Sequence, residues 1–190
     1  MTRRWRAVVL AAALVPAIAM AAPPAAPPAD RAPPPLPAVA VPAGWQPQPT
    51  LTEAARTAAA ADLGPRAMAA AAWGDPVAGC FAAAIAIDLD RRFTAATILG
   101  QLRTALAGAG TIDGWSNDDQ SSARASVQRP GWRAAVRGAV IAGNQPRLAV
   151  VACFYNERSP ARCRAACAPI VSAPTTSMSP TTKPSPPRMP

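Results

Sequence analysis

The sequence predicts an α+β domain: a small β-α-β-β-β-α sandwich whose mostly antiparallel, four-stranded sheet carries helices on one face and is crosslinked by disulfides. Three observations predict it. Three segments alternate apolar and small or polar residues at a period of two, and a fourth is a short apolar run bounded by a turn. One run after the first of them has helical spacing. Four cysteines occur in a chain that opens with an export signal.

The first strand is 80–89. Phe81, Ile85, Ile87 and Leu89 fall on one face, while Cys80, Ala82, Ala84 and Ala86 fall on the other. Asp90 is placed to cap a helix over 91–107, whose apolar stripe is Ala95, Ile98, Leu99, Leu102 and Leu106. Gly108 and Gly110 end it. Residues 111–121, with Asp113-Gly114 and Ser116-Asn117-Asp118-Asp119, predict a polar loop.

Three strands follow. In 122–129, Ala123, Ala125 and Val127 alternate with Arg124, Ser126 and Gln128. In 132–142, Trp132, Ala134, Val136 and Val140 alternate with Arg133, Arg137 and Ile141. Residues 147–155 are apolar on both faces, as in a central strand. Pro130-Gly131 and Gly143-Asn144-Gln145-Pro146 are the turns between them. A short helix near 160–168 closes the domain, which spans 73–171.

The flanks differ in composition. Arg3, Arg4 and Arg6, the apolar run from Ala7 to Met20, and Ala19-Met20-Ala21 have the order of a cleavable signal peptide over 1–21. The apolar run is shorter than the roughly 20 residues of a membrane span, and no later segment is apolar enough to span a bilayer. The mature chain is therefore expected in a secreted or periplasmic location. Residues 22–49 hold eleven prolines and predict an extended polyproline spacer. Residues 172–190 are a Ser/Thr/Pro tail. Between spacer and domain, Thr50-Leu51-Thr52-Glu53 fits a capping box. Ala-rich sequence then predicts a helix to Asp62 and, after Gly64-Pro65, a second short helix to Ala72. The segment 50–72 has few large apolar residues and is expected to be peripheral.

Cys80, Cys153, Cys163 and Cys167 predict two disulfides in an oxidising compartment. Cys163 and Cys167, at i and i+4, share a helix face. A bond between them is geometrically poor. Pairing each helix cysteine with a strand cysteine is preferred; a Cys80–Cys153 bond is the alternative. A zinc site wants C-x-x-C pairs, and a redox pair wants C-x-x-C at a helix start; Cys163-Arg164-Ala165-Ala166-Cys167 fits neither spacing.

The chain contains no histidine, which removes Ser-His-Asp, Cys-His and histidine-zinc chemistry together. No cofactor is expected. The formal charge is +9, of which three charges lie in the signal. The remainder favours anionic partners without forming the basic stripe of a nucleic-acid binder. If Pro130-Gly131 closes a two-residue hairpin, Arg124 faces Arg137, and Gln128 faces Arg133. Like charges opposed in this way call for an anion between them. Arg124, Arg133 and Arg137 are therefore the candidate anion-binding residues. Glu157 is placed to pair with Arg158 or Arg162. Asp113, Asp118 and Asp119 have calcium-ligand types without EF-hand spacing. Trp73, Trp115 and Trp132 flank turns and predict packing. The expected function is a non-enzymatic exported domain binding a protein or an anionic envelope component. A periplasmic thiol-disulfide or other catalytic protein is the alternative, and a structural envelope protein without a discrete ligand is the third.

Overall fold

The computed structural model describes residues 32–63, 68–89, 93–158 and 160–172. The signal peptide, residues 22–31 of the spacer, Gly64-Pro65, Asp90 and the tail beyond 172 lie outside the described residues. Strands β1 (Gln46–Pro47), β2 (Met68–Asp75), β3 (Cys80–Asp88), β4 (Thr111–Asn117), β5 (Ser122–Arg129), β6 (Trp132–Ile141) and β7 (Arg147–Asn156) form one antiparallel sheet. Its spatial order is β1-β2-β3-β7-β6-β5-β4. The helices are α1 (Pro49–Leu63), α2 (Ala95–Ala109) and α3 (Pro160–Ser172). The α+β class holds. The sheet has seven strands where the sequence pattern predicts four.

The three additional strands have local causes. Residues 68–72 are alanine-rich, and alanine favours helix when nothing else decides. Here they pair along β3, from Met68–Ile87 to Asp75–Cys80, so the expected second helix is a strand. The hairpin closes because Asp75 Oδ1 accepts from the Val77 and Ala78 N–H groups, each at 3.0 Å, and Gly79 adopts φ 71°. Residues 111–117, expected as loop, pair with β5 on one side only. An edge strand has no need of a strong apolar alternation, so its pattern is weak. β1 is the opposite edge, two residues long and ending in proline.

The helices start differently from expectation. α1 opens at Pro49, in the first-turn position proline tolerates, and the Thr52 N–H closes that turn on Gln48 O at 2.9 Å. The capping box from Thr50 is displaced accordingly. α2 is capped by Thr94, whose hydroxyl accepts from the Thr97 N–H. Its buried stripe is Ile98, Leu99, Leu102, Ala105, Leu106 and Ala109. Ala95 lies off the stripe and is only partly buried.

The two sheet faces carry separate cores. On one, α1 and α2 cover Ile85, Ile87, Val136, Leu148, Val150 and Phe154, with the Phe81 and Phe154 rings stacked at 5.8 Å. On the other, α3 covers Cys80, Ala82, Ala84, Val151, Cys153 and Tyr155. The helices therefore lie on both faces, not on one. The two faces of β3 demand this: Phe81, Ile85 and Ile87 need one cover, while the cysteine-bearing small face needs another. Part of the expected spacer is also packed, because Leu36, Val39 and Trp45 lie against the second core.

Gly138 in β6 lies directly under Leu102, so a Cβ there would collide with the Leu102 side chain. Gly138→Ala is expected to lower stability by about 1–3 kcal/mol through overpacking. Leu102→Ala, which leaves a cavity, should lower it by about 2–5 kcal/mol. Urea unfolding checks both.

Candidate functional site

The cysteines resolve first. β3 and β7 are neighbours, with Ala82 opposite Cys153, so Cys80 and Cys153 sit on the same face two positions apart. α3 lays Cys163 and Cys167 over that face. The bonds are Cys80–Cys163 and Cys153–Cys167, each with Cα atoms 5.5 Å apart. This is the preferred strand-to-helix pairing. All four residues are at most 3% exposed, and none is a free thiol. A buried disulfide gives an attacking thiolate no approach.

The arginines are built by the β5–β6 hairpin. Pro130-Gly131 makes a two-residue turn with Gly131 at φ 81°, as a type II turn requires. Arg124 then stands opposite Arg137, and Gln128 opposite Arg133. The anion between the first pair belongs to the chain itself. Asp118, in the β4–β5 loop, binds Arg124 through Nε and Nη2 at 2.6 Å each, and Arg137 at 3.6 Å. Its side chain is only 16% exposed, and that of Arg137 only 14%. Arg137 also donates to the Ser172 carbonyl at the end of α3. Arg133 lies between Asp113 at 3.8 Å and Glu157 at 3.7 Å. Those two pairs are more exposed and contribute about 0–1 kcal/mol each. Glu157 is thus an Arg133 partner, not a partner of Arg158 or Arg162; Arg162 pairs with Asp75. Three guanidinium groups face three carboxylates, so this face is formally neutral.

A second feature lies on the opposite side of the same loop. α2, β4 and residues 119–121 enclose a cleft of about 630 Å³. Trp115 lies in it, with the Arg103 guanidinium 5.7 Å from its ring centroid. The indole N–H donates to Asn117 Oδ1 at 3.0 Å. Ala95, Ala96, Leu99 and Gly100 form the helix wall. Asp119 closes one end and accepts from the Ser121 N–H and hydroxyl. The backbone bond first, and then the hydroxyl, hold its carboxyl below the ordinary 3.8. The loop carboxylates are therefore committed to Arg124, Arg137 and Ser121. Among the described residues, no group of three or more His, Cys, Asp or Glu is placed to hold a metal ion.

The residue pattern places Trp115 at a turn flank, and the structure puts it on an edge strand lining this cleft. Its i, i+2 relation to Asn117 was the available signal, hidden by Asp113-Gly114, where the β4 register shifts. No helix among the described residues is long and apolar enough to cross a membrane. Comparison with protein-family models, with curated proteins and with solved structures finds no match to this chain.

Two predictions follow from the disulfides and the loop. The Cys80–Cys163 bond closes 83 residues and Cys153–Cys167 closes 14. Chain entropy makes the first worth about 4–5 kcal/mol and the second about 3 kcal/mol. Paired Cys→Ser variants should show that order in denaturant midpoints. For Asp119, a depressed carboxyl stabilises fully above its ordinary value of 3.8 and loses that contribution as pH falls through the lower folded value. The Ser121 amide NMR signal should titrate with a midpoint under 3.8; a midpoint at or above it contradicts the bonding.

Proposed function

We propose that the chain is an exported, non-enzymatic domain that binds a protein or an anionic envelope component through the β4–β6 half of its sheet. The observation that carries this reading is an asymmetry of cover. Over β3 and β7 both faces are buried, by α1 and α2 on one side and by α3 with residues 36–45 on the other. Over β4 and β5 the second face is more open: Arg124 and Ser126 are exposed and Gln128 and the neighbouring Arg133 of β6 are half-buried, while α3 reaches β6 at Ala135 and Arg137. Every buried cysteine is spent on holding α3 over the first half, and none on covering the second.

An anionic group reaches this face by displacing Asp118. A phosphate, sulfate or carboxylate offers Nε and Nη2 of Arg124 an anionic oxygen in place of Asp118 Oδ1, which both nitrogens now share. The internal carboxylate acts as a competitor that sets a threshold for binding. The lack of histidine and the burial of both disulfides support a binding role over a catalytic or thiol-exchange role.

Asp118→Asn removes the competitor while keeping the side-chain shape. It should elute from immobilised heparin at higher salt than the parent protein, and Arg124→Ala should elute at lower salt. If Asp118→Asn and the parent elute together, the anionic reading fails.

A further inference from the structure

We infer that the free edge of β4 is a strand-addition site, which takes an extended peptide segment whose cleft-facing residues are an apolar side chain followed, two positions on, by a carboxylate. The inference concerns a different surface from the arginine face and rests on the binding-domain reading only in assigning the partner to protein.

The two edges of the sheet are treated differently. β1 ends the sheet with two residues, one of them a proline without an N–H, which is how an edge is closed to further pairing. β4 has seven residues, and among the described residues no strand lies beyond it. Its direction of pairing can be assigned. The Asp118 N–H donates to Ser122 O, and the Val140 N–H donates to Ser121 O. Hydrogen-bonded positions alternate along an antiparallel ladder. Even-numbered β5 residues therefore bond to β4, and odd-numbered ones to β6. In the β4 register, Ser116 faces Arg124 and bonds inward, so the N–H and C=O groups of Trp115 and Asn117 point away from the sheet. The irregularity between Ile112 and Gly114 blunts the first half of the strand and leaves this second half regular.

The side chains of the same two residues line the cleft. A strand added at Trp115 and Asn117 thus places every second side chain between β4 and α2. The helix wall there is low: a Cβ at Gly100 would meet nothing within 4 Å. Leu99, Ala96 and the indole supply an apolar floor for one side chain. The Arg103 guanidinium over Trp115 has no carboxylate within ion-pair range among the described residues, and it supplies the charge partner for the next. Main-chain bonds provide affinity and alternate pockets provide selectivity, as in other strand additions.

The test uses the full mature chain and a blocked pentapeptide, Thr-Val-Thr-Glu-Thr, read by NMR. The expected result is saturable shifts of the Trp115 and Asn117 amides. N-methylation at the Val and Glu nitrogens, which face β4, should weaken binding by about tenfold per donor, while N-methylation at the central Thr leaves it unchanged. Asn117→Pro removes an outward N–H without breaking the ladder to β5 and should abolish the peptide-induced shift of the Trp115 amide; Asn117→Ala should retain it. No saturable shift, a loss on N-methylation of the central Thr equal to that at Val or Glu, or saturation by a neutral oligosaccharide of N-acetylglucosamine in place of the peptide overturns the inference. Heparin retention that persists while the peptide fails to bind overturns this inference alone and leaves the arginine face standing.

Discussion

The ladder between β3 and β7 runs without interruption from Cys80–Tyr155 to Asp88–Arg147, and both cores are referenced to it. One face of the ladder is bulky, with Phe81 stacked on Phe154 and Ile85 and Val150 beside them. The other is small, with Ala82, Ala84 and the two strand cysteines. The far end is held by Arg147, whose Nε lies 3.3 Å from Asp88 Oδ1 across the strand pair. Opposite charges directly across a ladder reinforce register, and a one-residue slip would exchange the two faces. Such a slip would also carry both cysteines away from α3.

The small face explains the disulfides. Alanine buries little area, so a helix packed on Ala82, Ala84 and Val151 gains little from the hydrophobic effect. Among its described side chains, α3 offers only Ile170 and Val171 as buried aliphatic residues beyond its cysteines. Two covalent bonds supply what area does not. They also fix α3 in position, so that its terminal carbonyl at Ser172 reaches Arg137. The arginine face is in this way tied to the disulfide face through the end of one helix.

The β4–β5 loop joins the remaining features. Asp118 turns to the arginine face and bridges two opposed arginines, while Asp119, the next residue, turns to the cleft and caps Ser121. One short loop therefore sets the charge of one surface and the shape of another. The arginine pair is tolerated because its counter-ion is local, shielded and bridging, with Oδ1 on Arg124 and Oδ2 toward Arg137.

The sequence alone determined the parts of this protein that depend on periodicity. β3, β5, β6, β7 and α2 are legible because each is long, one-sided or doubly apolar, and a strand-to-helix pairing of the cysteines is preferred once those faces are assigned; which strand cysteine takes which helix cysteine is decided only by how α3 lies on the sheet. The opposition of Arg124 and Arg137 is also legible, from the turn at Pro130-Gly131. Tertiary structure alone decided the rest. Residues 68–75 become a strand because β3 offers an open edge, against alanine's own preference for helix. Residues 111–117 become one because pairing on a single side leaves no burial pattern to read. α3 crosses to the second face because the first is filled by α1 and α2. The cleft at Trp115 and the role of Asp118 depend on contacts between elements that no spacing encodes: a side chain's partner across a sheet is set by register and by the path of a loop, and both are fixed only when the strands have found their order.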